Sequence, residues 1–422
     1  MPKSDIIAII GNGGAAIYAI KDLRENNSNA EIHLFSDNTS PAYNPMLTSY
    51  FVAGQIPIEN CHPFGSDFNF YHRNDVQLHL GSQVVKLDAL EQTLETAQGE
   101  KFCYDQCLIA TGASPVLPQI PGINSRRVFT LRSMEDAQSL KQALNNHPKK
   151  AIVIGASMVG IKLVELFLKA NVKVCLADRA NHVFPLAANE YCAHLIEDSL
   201  KERHVKLRLG ACITEIEEIS KGINAYFSDQ EGPEEADLAV ICIGTKTNTQ
   251  FLDPDQVEID RGILVNQRMQ TNQPNLYAAG DVAQGLNLLN GKKEIIGLWA
   301  NACYQGRTAG RNMAGKTDFY AGGMPGNISH FLEMDFVSIG DALSSSDVSH
   351  SYHPQENTYC GLTWDQGKLV GVNLLNCFTA AGMLKQKMQK ELNQWHTLAN
   401  PKNKDGDLWK KLLEIQVPQL RK

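Results

Sequence analysis

No apolar run in this 422-residue chain is long enough to span a bilayer. The first strand-like segment begins at Ile6, which leaves no room for a secretion signal ahead of it. The chain also lacks a Cys-x-x-Cys pair and any His/Cys spacing suited to a metal. Its 10 scattered cysteines therefore read as reduced thiols of a cytoplasmic protein. Cys175, Cys212 and Cys242, each in an apolar strand-like run, read as core packing. A cationic excess is missing too. The formal net charge is −7, which argues against a general nucleic-acid binder. With 43% hydrophobic and 20% charged residues the chain is an ordinary globular one, and its length implies two or three domains.

What is present is one motif, twice. Ile6-Ile7-Ala8-Ile9-Ile10 runs into Gly11-Asn12-Gly13-Gly14-Ala15-Ala16, and Ala151-Ile152-Val153-Ile154 runs into Gly155-Ala156-Ser157-Met158-Val159-Gly160. In such a loop the first Gly makes a tight turn after a parallel strand. The second lets a pyrophosphate approach the backbone, and the third small residue lets the following helix pack close, its N-terminus facing the phosphates. Ala16 is a permitted third residue. Ser157 at the middle position leaves a small Cβ near the pyrophosphate. One such loop is as easily a Gly-rich turn of an ordinary α/β domain. Two, each between an apolar strand and a helical pattern, point to two dinucleotides on one chain, and so to electrons passing between them.

A carboxylate about 20 residues past such a loop can bind ribose hydroxyls. Asp37 follows the strand-like Glu31 to Phe35, and Asp178 follows Val172 to Ala177. Asp37 is alternatively a turn residue opening Asp37-Asn38-Thr39-Ser40. Asp178 suits the two ribose hydroxyls of NADH and repels the extra phosphate of NADPH, although the neighbouring Arg179 suits that phosphate. The balance favours NADH.

Breakers and strand patterns divide the chain. Cys107 to Ala113 reads as a strand ending in small residues, followed by the proline-rich crossing Pro115, Pro118 and Pro121-Gly122. Leu276 to Val282 reads as another strand, ending in Gly280-Asp281. From Phe319, runs such as Asp335 to Ile339 and Leu369 to Val372 predict a small antiparallel sheet with helices, before a Lys-rich tail.

These segments together carry a resemblance. The loop Gly11 to Ala16, the stretch Tyr104 to Gly112, Leu131-Arg132-Ser133-Met134-Glu135-Asp136-Ala137, the loop Gly155 to Gly160, Gly262 to Val265 and Ala278-Ala279-Gly280-Asp281 all fit in order. So do Trp299-Ala300-Asn301-Ala302 and Gln305-Gly306-Arg307. The chain resembles the FAD-dependent pyridine nucleotide oxidoreductases, and is most similar to ferredoxin and rubredoxin reductases and the flavin module of NADH nitrite reductases.

The fold that this implies is α/β, with two Rossmann-like, three-layer dinucleotide-binding domains and a small α+β C-terminal domain. The FAD domain would comprise residues 1–118 and 243–316, the inserted NAD(P) domain 119–242, the C-terminal domain 317–396 and a polar, partner-docking tail 397–422. The resemblance assigns FAD to Gly11, Gly13, Gly14, Ala15, Ala16, Asp37, Val84, Ala110, Thr111, Gly112, Arg132, Gly280, Asp281 and Trp299. It assigns NAD to Gly155, Ser157, Met158, Gly160, Asp178, Arg179 and Gly244. Arg132 would touch the FAD pyrophosphate, Asp281 the ribityl chain, and Trp299 the isoalloxazine.

The departures matter as much. Disulfide reductases of this superfamily carry paired cysteines soon after the first ribose acid, and some relatives carry one. Here Pro41 to Phe51 holds no thiol, so a dithiol relay is unavailable there. Cys61, the nearest thiol, reads as structural. Lys162 stands where ferredoxin-reductase relatives often have Glu. It is either a solvated helix lysine or a cation near the flavin that tunes its potential. Tyr43, Tyr50 and Phe51 are core or a small pocket at the flavin mouth. Trp395 and Trp409 pack on the parent domain or help dock a partner.

The expected activity is hydride transfer from NADH to FAD, then electron transfer to an iron–sulfur or rubredoxin-type carrier or partner subunit, with oligomer formation left open. The alternatives are direct reduction of oxygen, a quinone or an organic acceptor, or an FAD-bearing assembly subunit.

Overall fold

The computed structural model describes residues 5–26, 29–343 and 347–394. They form two compact units, one from residues up to 181 together with 203–324, the other from 182–202 together with 325 onward.

The first unit holds two five-stranded parallel sheets. One runs in the order Leu276–Ala278, Gln106–Ile109, Ile6–Ile10, Glu31–Ser36 and Val76–Leu80. Every neighbouring pair in it is parallel. The other runs Lys206–Leu209, Lys173–Asp178, Lys150–Ile154, Leu238–Ile241 and Val128–Phe129, again parallel throughout. Because the strand 276–278 returns to the first sheet after the whole of the second is complete, the second nucleotide-type layer is inserted into the first. Strands such as Ile6–Ile10 and Leu238–Ile241 are almost wholly buried, which is why they read as unbroken apolar runs rather than alternating ones.

Five helices position the site: α1 (Gly14–Asn26), α2 (Thr48–Val52), α3 (Met134–Asn145), α4 (Met158–Lys169) and α5 (Trp299–Met313). α1 and α4 each start within a fingerprint, at its fourth residue. α5 packs along α1 at a distance only glycine allows: a Cβ at Gly306 would lie 2.1 Å from the Ala15 carbonyl oxygen.

The second unit is built on a five-stranded antiparallel sheet in the order Gly326–Phe331, Met334–Gly340, Lys368–Leu375, Thr358–Asp365 and Val348–His353. Residues 182–202 join it through buried amide bonds: the Asn189 backbone N–H donates to Asn373 Oδ1 (2.8 Å), and Asn373 Nδ2 donates to the Ala187 carbonyl (2.7 Å). Among the described residues no helix is long and apolar enough to cross a membrane. Trp395, Trp409 and the tail 397–422 lie outside the described residues.

Candidate functional site

At the carboxyl ends of the first sheet's strands lies a cleft of about 910 Å³, at the upper end of the usual range for small-molecule sites. Gly11, Gly13, Gly14, Ala15, Asp37, Val84, Ala110, Thr111, Gly112, Arg132, Gly280, Asp281 and Trp299 all line it. Residues hundreds of positions apart in the chain thus share one wall. Ala16 does not line the cleft. It is fully buried on the inner side of α1.

The loop geometry follows from its sequence. Gly11 has φ +105°, and a Cβ there would sit 2.3 Å from the Ala110 carbonyl oxygen. Over Gly13, by contrast, nothing lies within 4 Å of where a Cβ would be. The backbone before α1 is therefore open to the cleft, and the first turn of α1 carries no acidic side chain to compete for its partial positive charge. Asn12, which the sequence reading passed over, clasps the loop from below: its Nδ2 donates to the Ser40 carbonyl (3.2 Å), and its Oδ1 accepts from the Tyr71 hydroxyl (2.7 Å).

Asp37 is exposed on the wall, one residue past the strand Glu31–Ser36. The turn bonding of this segment is done by Asn38, whose Oδ1 accepts from the Ser40 backbone N–H (2.7 Å).

Opposite α1, Ser133 caps α3 in a capping box with Asp136. Asp136 also accepts from the Arg132 backbone N–H (2.9 Å), so the helix start fixes Arg132 at the cleft. The Arg132 guanidinium donates to Asp281 Oδ2 (2.7 Å) and to the Ala113 carbonyl (3.2 Å). Asn248, also missed from the sequence, ties the crossing strands: its Nδ2 donates to the Thr111 carbonyl (2.9 Å), while its Oδ1 accepts from the Ser114 hydroxyl (2.8 Å).

Tyr43, Pro45 and Met46 also line the cleft. Burial, with Glu135 nearby, pushes the Tyr43 hydroxyl up to about 12, so it stays a neutral hydrogen-bonding group. Phe51 is buried and lies under the Lys141 ammonium, 4.0 Å from its ring centroid. Cys61 is buried, and burial raises its thiol, as suits a structural cysteine.

The second loop repeats the first in its opening turn. Gly155 has φ +114°, and a Cβ there would sit 2.4 Å from the Cys242 carbonyl oxygen. Gly160 is packed as tightly, against the Gly155 carbonyl. Ser157 has its own role: it is the N-cap of α4, its hydroxyl accepting from the Gly160 N–H (3.2 Å) and donating to the Cys242 carbonyl (3.0 Å). Asp178 accepts from the Ala156 N–H (2.6 Å) through one oxygen and from the Ala180 N–H (2.8 Å) through the other, which leaves further lone pairs on each. Arg179 is exposed beside it, and Gly244, with φ +117°, is exposed at the end of the strand Leu238–Ile241. Half-buried Met158 and exposed Val159 and Ile243 give this loop an apolar rim.

Lys162 is neither solvated nor on the cleft wall. Its ammonium contacts Glu165 Oε2 (2.6 Å) and lies 4.8 Å from the centroid of the Tyr50 ring on α2, with 15% of the side chain exposed. The buried Glu165 carboxylate also accepts from Lys169 (2.9 Å).

A fingerprint loop at the carboxyl end of a parallel sheet, found twice in the same unit, is the arrangement that dinucleotide-binding oxidoreductases share. Residues 5–306 match the family described as pyridine nucleotide-disulphide oxidoreductase, and the chain belongs to that family. It is an FAD-dependent NAD(P)H oxidoreductase.

Among known proteins, the chain is 30% identical over 384 residues to the NADH-dependent phenylglyoxylate dehydrogenase subunit epsilon of Aromatoleum evansii, covering 90% of each. It is 27% identical to the assimilatory nitrate reductase electron transfer subunit of Bacillus subtilis, over 88% of this chain and 48% of that protein. The water-forming NADH oxidase of Lactobacillus brevis shares the fold with a TM-score of 0.84 at 21% identity, over 94% of both chains.

Proposed function

We propose that the chain takes hydride from NADH onto FAD and delivers electrons singly to an iron–sulfur or rubredoxin-type protein or partner subunit, with no redox-active disulfide. FAD would lie in the cleft, and NADH at the second loop. A bound flavin supplies the capacity to accept two electrons as hydride and release them one at a time. The residues present suit it. The open backbone over Gly13 and the start of α1 would receive a diphosphate. Asp37 would meet ribose hydroxyls, and Asp281, held by Arg132, the hydroxylated chain between phosphate and ring. Trp299 lines the cleft beside this loop, packed against Gly14, where a Cβ would come 3.0 Å from the Trp299 ring.

On this reading residues 1–118 and 243–316 serve FAD, 119–242 serve NAD(P)H except for 182–202, which pack with the second unit, and 317–396 form the C-terminal domain. Asp178, steadied by two backbone N–H groups, favours NADH over NADPH. Lys162, neutralised within α4 by Glu165, acts on the flavin only through the packing of α2.

One observation carries the choice of an external acceptor over a thiol relay. The cleft wall at Tyr43, Pro45 and Met46 offers no thiol, and Cys61 is sealed in the core. With no thiol or disulfide in that wall to accept a two-electron transfer, the electrons leave to an external acceptor. Two of the relatives point the same way in their names, a subunit of an NADH-dependent dehydrogenase and an electron transfer subunit.

The test is steady-state turnover of NADH with rubredoxin, a [2Fe–2S] ferredoxin, menadione and oxygen. Fast carrier reduction supports the reading. Oxygen or menadione consumed faster than either carrier transfers the assignment to a small-acceptor enzyme lined by Tyr43 and Met46.

A further inference from the structure

Helix α5 begins inside the cleft with Trp299 and then runs out of it. Its exposed face is Ala300, Tyr304, Arg307 and, partly, Arg311, spaced by four, three and four residues. Tyr304 is 39% exposed although it is aromatic. The Arg307 guanidinium lies 4.6 Å from the centroid of Tyr18 on α1. Arg311 is anchored on the buried Asp22 (2.6 Å) and on Asp318 (3.2 Å). Next to Asp318 stands Phe319, 53% exposed, with the Arg268 guanidinium 5.4 Å from its ring centroid. Lys316 is exposed in the same turn.

The charges on this face do not cancel. Arg311 engages both Asp22 and Asp318 and so sets one positive charge against two negative ones, while Lys21 and Glu25, four residues apart on α1, add no net charge. Arg307, Arg268 and Lys316 outweigh that one negative charge and leave a positive face on a chain whose net charge is −7. Two of these cations rest on aromatic rings, which holds them in place before anything binds. Arg and Tyr are the residue types that dominate protein-interface energetics, and a face of this size is too small and too weakly basic for a nucleic-acid track.

We infer that this face of α5 is the docking site for the acidic face of a one-electron carrier protein. The inference rests on the carrier reading above and names where the carrier sits. Arg307 is eight residues past Trp299, so a carrier covering the stripe lies about 12 Å along the helix axis from the cleft wall. The exchange served is balanced: one NADH and two oxidised carriers give one NAD⁺, two reduced carriers and one proton.

The experiment uses the flavin-loaded full chain and its Arg307→Glu and Arg307→Lys variants. Acidic rubredoxin is the probe, basic cytochrome c the control and menadione the small acceptor. The dissociation constant for rubredoxin is measured by calorimetry across a range of ionic strengths, and turnover is measured in parallel. Arg307→Glu is expected to weaken rubredoxin binding about tenfold at low salt and flatten its salt dependence. Arg307→Lys should restore most of the affinity, and NADH–menadione turnover should not change. An unchanged rubredoxin affinity in Arg307→Glu, a salt-independent affinity, or tighter binding of cytochrome c than of rubredoxin overturns the docking site. Rubredoxin bound through Arg307 yet never reduced by NADH overturns the carrier reading while leaving the docking face in place.

Discussion

On the proposed reading Asp178 is one carboxylate that serves both loop and ligand. Its two oxygens take the N–H groups of Ala156 and Ala180, so its position is set before any ribose arrives. Replacing it by alanine with Arg179 kept removes the repulsion toward a 2′-phosphate. Asp178→Ala is expected to move the ratio of kcat/KM for NADH over NADPH toward NADPH by about tenfold or more. An unmoved ratio would show that the acid has no part in selection.

Lys162 yields a different expectation, because its partner is buried. Lys162→Met leaves Glu165 with Lys169 and is expected to cost about 1–3 kcal/mol in unfolding free energy, read from denaturant titration. A variant as stable as the native chain contradicts the ion pair. The three-residue spacing of Lys162 and Glu165 was visible in the sequence. That Tyr50 would cover the pair was not, since it comes from a helix more than a hundred residues earlier. Asn12 and Asn248 were hidden for the same reason: their bonds go to Ser40 and Thr111, partners that only the folded chain supplies.

Elements were easier to read than their contacts. Both fingerprint strands, the helices after them and the antiparallel C-terminal sheet were legible, because buried parallel strands and alternating surface strands have different hydrophobic periods. Ser157 read as an irregular fingerprint residue. In the structure it is also a helix cap, a role serines favour in that position. The crossing of α1 and α5 left only its small residues as a trace. Gly306→Ala forces a methyl into the Ala15 carbonyl and is expected to cost about 1–3 kcal/mol, with weakened flavin retention, because α1 must shift where it meets the cleft. Thermal unfolding and flavin fluorescence check it. Native values for both would mean the helices can separate without consequence.

Over the whole molecule, the insertion of one nucleotide-binding layer into another was expected from the family resemblance that the ordered motifs carry, and the return of the strand Leu276–Ala278 to the first sheet bears it out. The joining of residues 182–202 to the C-terminal sheet was not expected. It depends on Asn189 meeting Asn373, 184 positions away, and no local pattern announces such a pair. The central claim concerns the molecule as a unit: its cleft and its second loop bring a flavin and a nicotinamide within reach of each other. Anaerobic stopped-flow mixing of the yellow protein with NADH tests it directly. The account predicts rapid loss of the flavin absorbance near 450 nm, about one flavin reduced per NADH consumed. A protein that purifies colourless and takes up no flavin, or whose flavin absorbance persists in excess NADH, would contradict it.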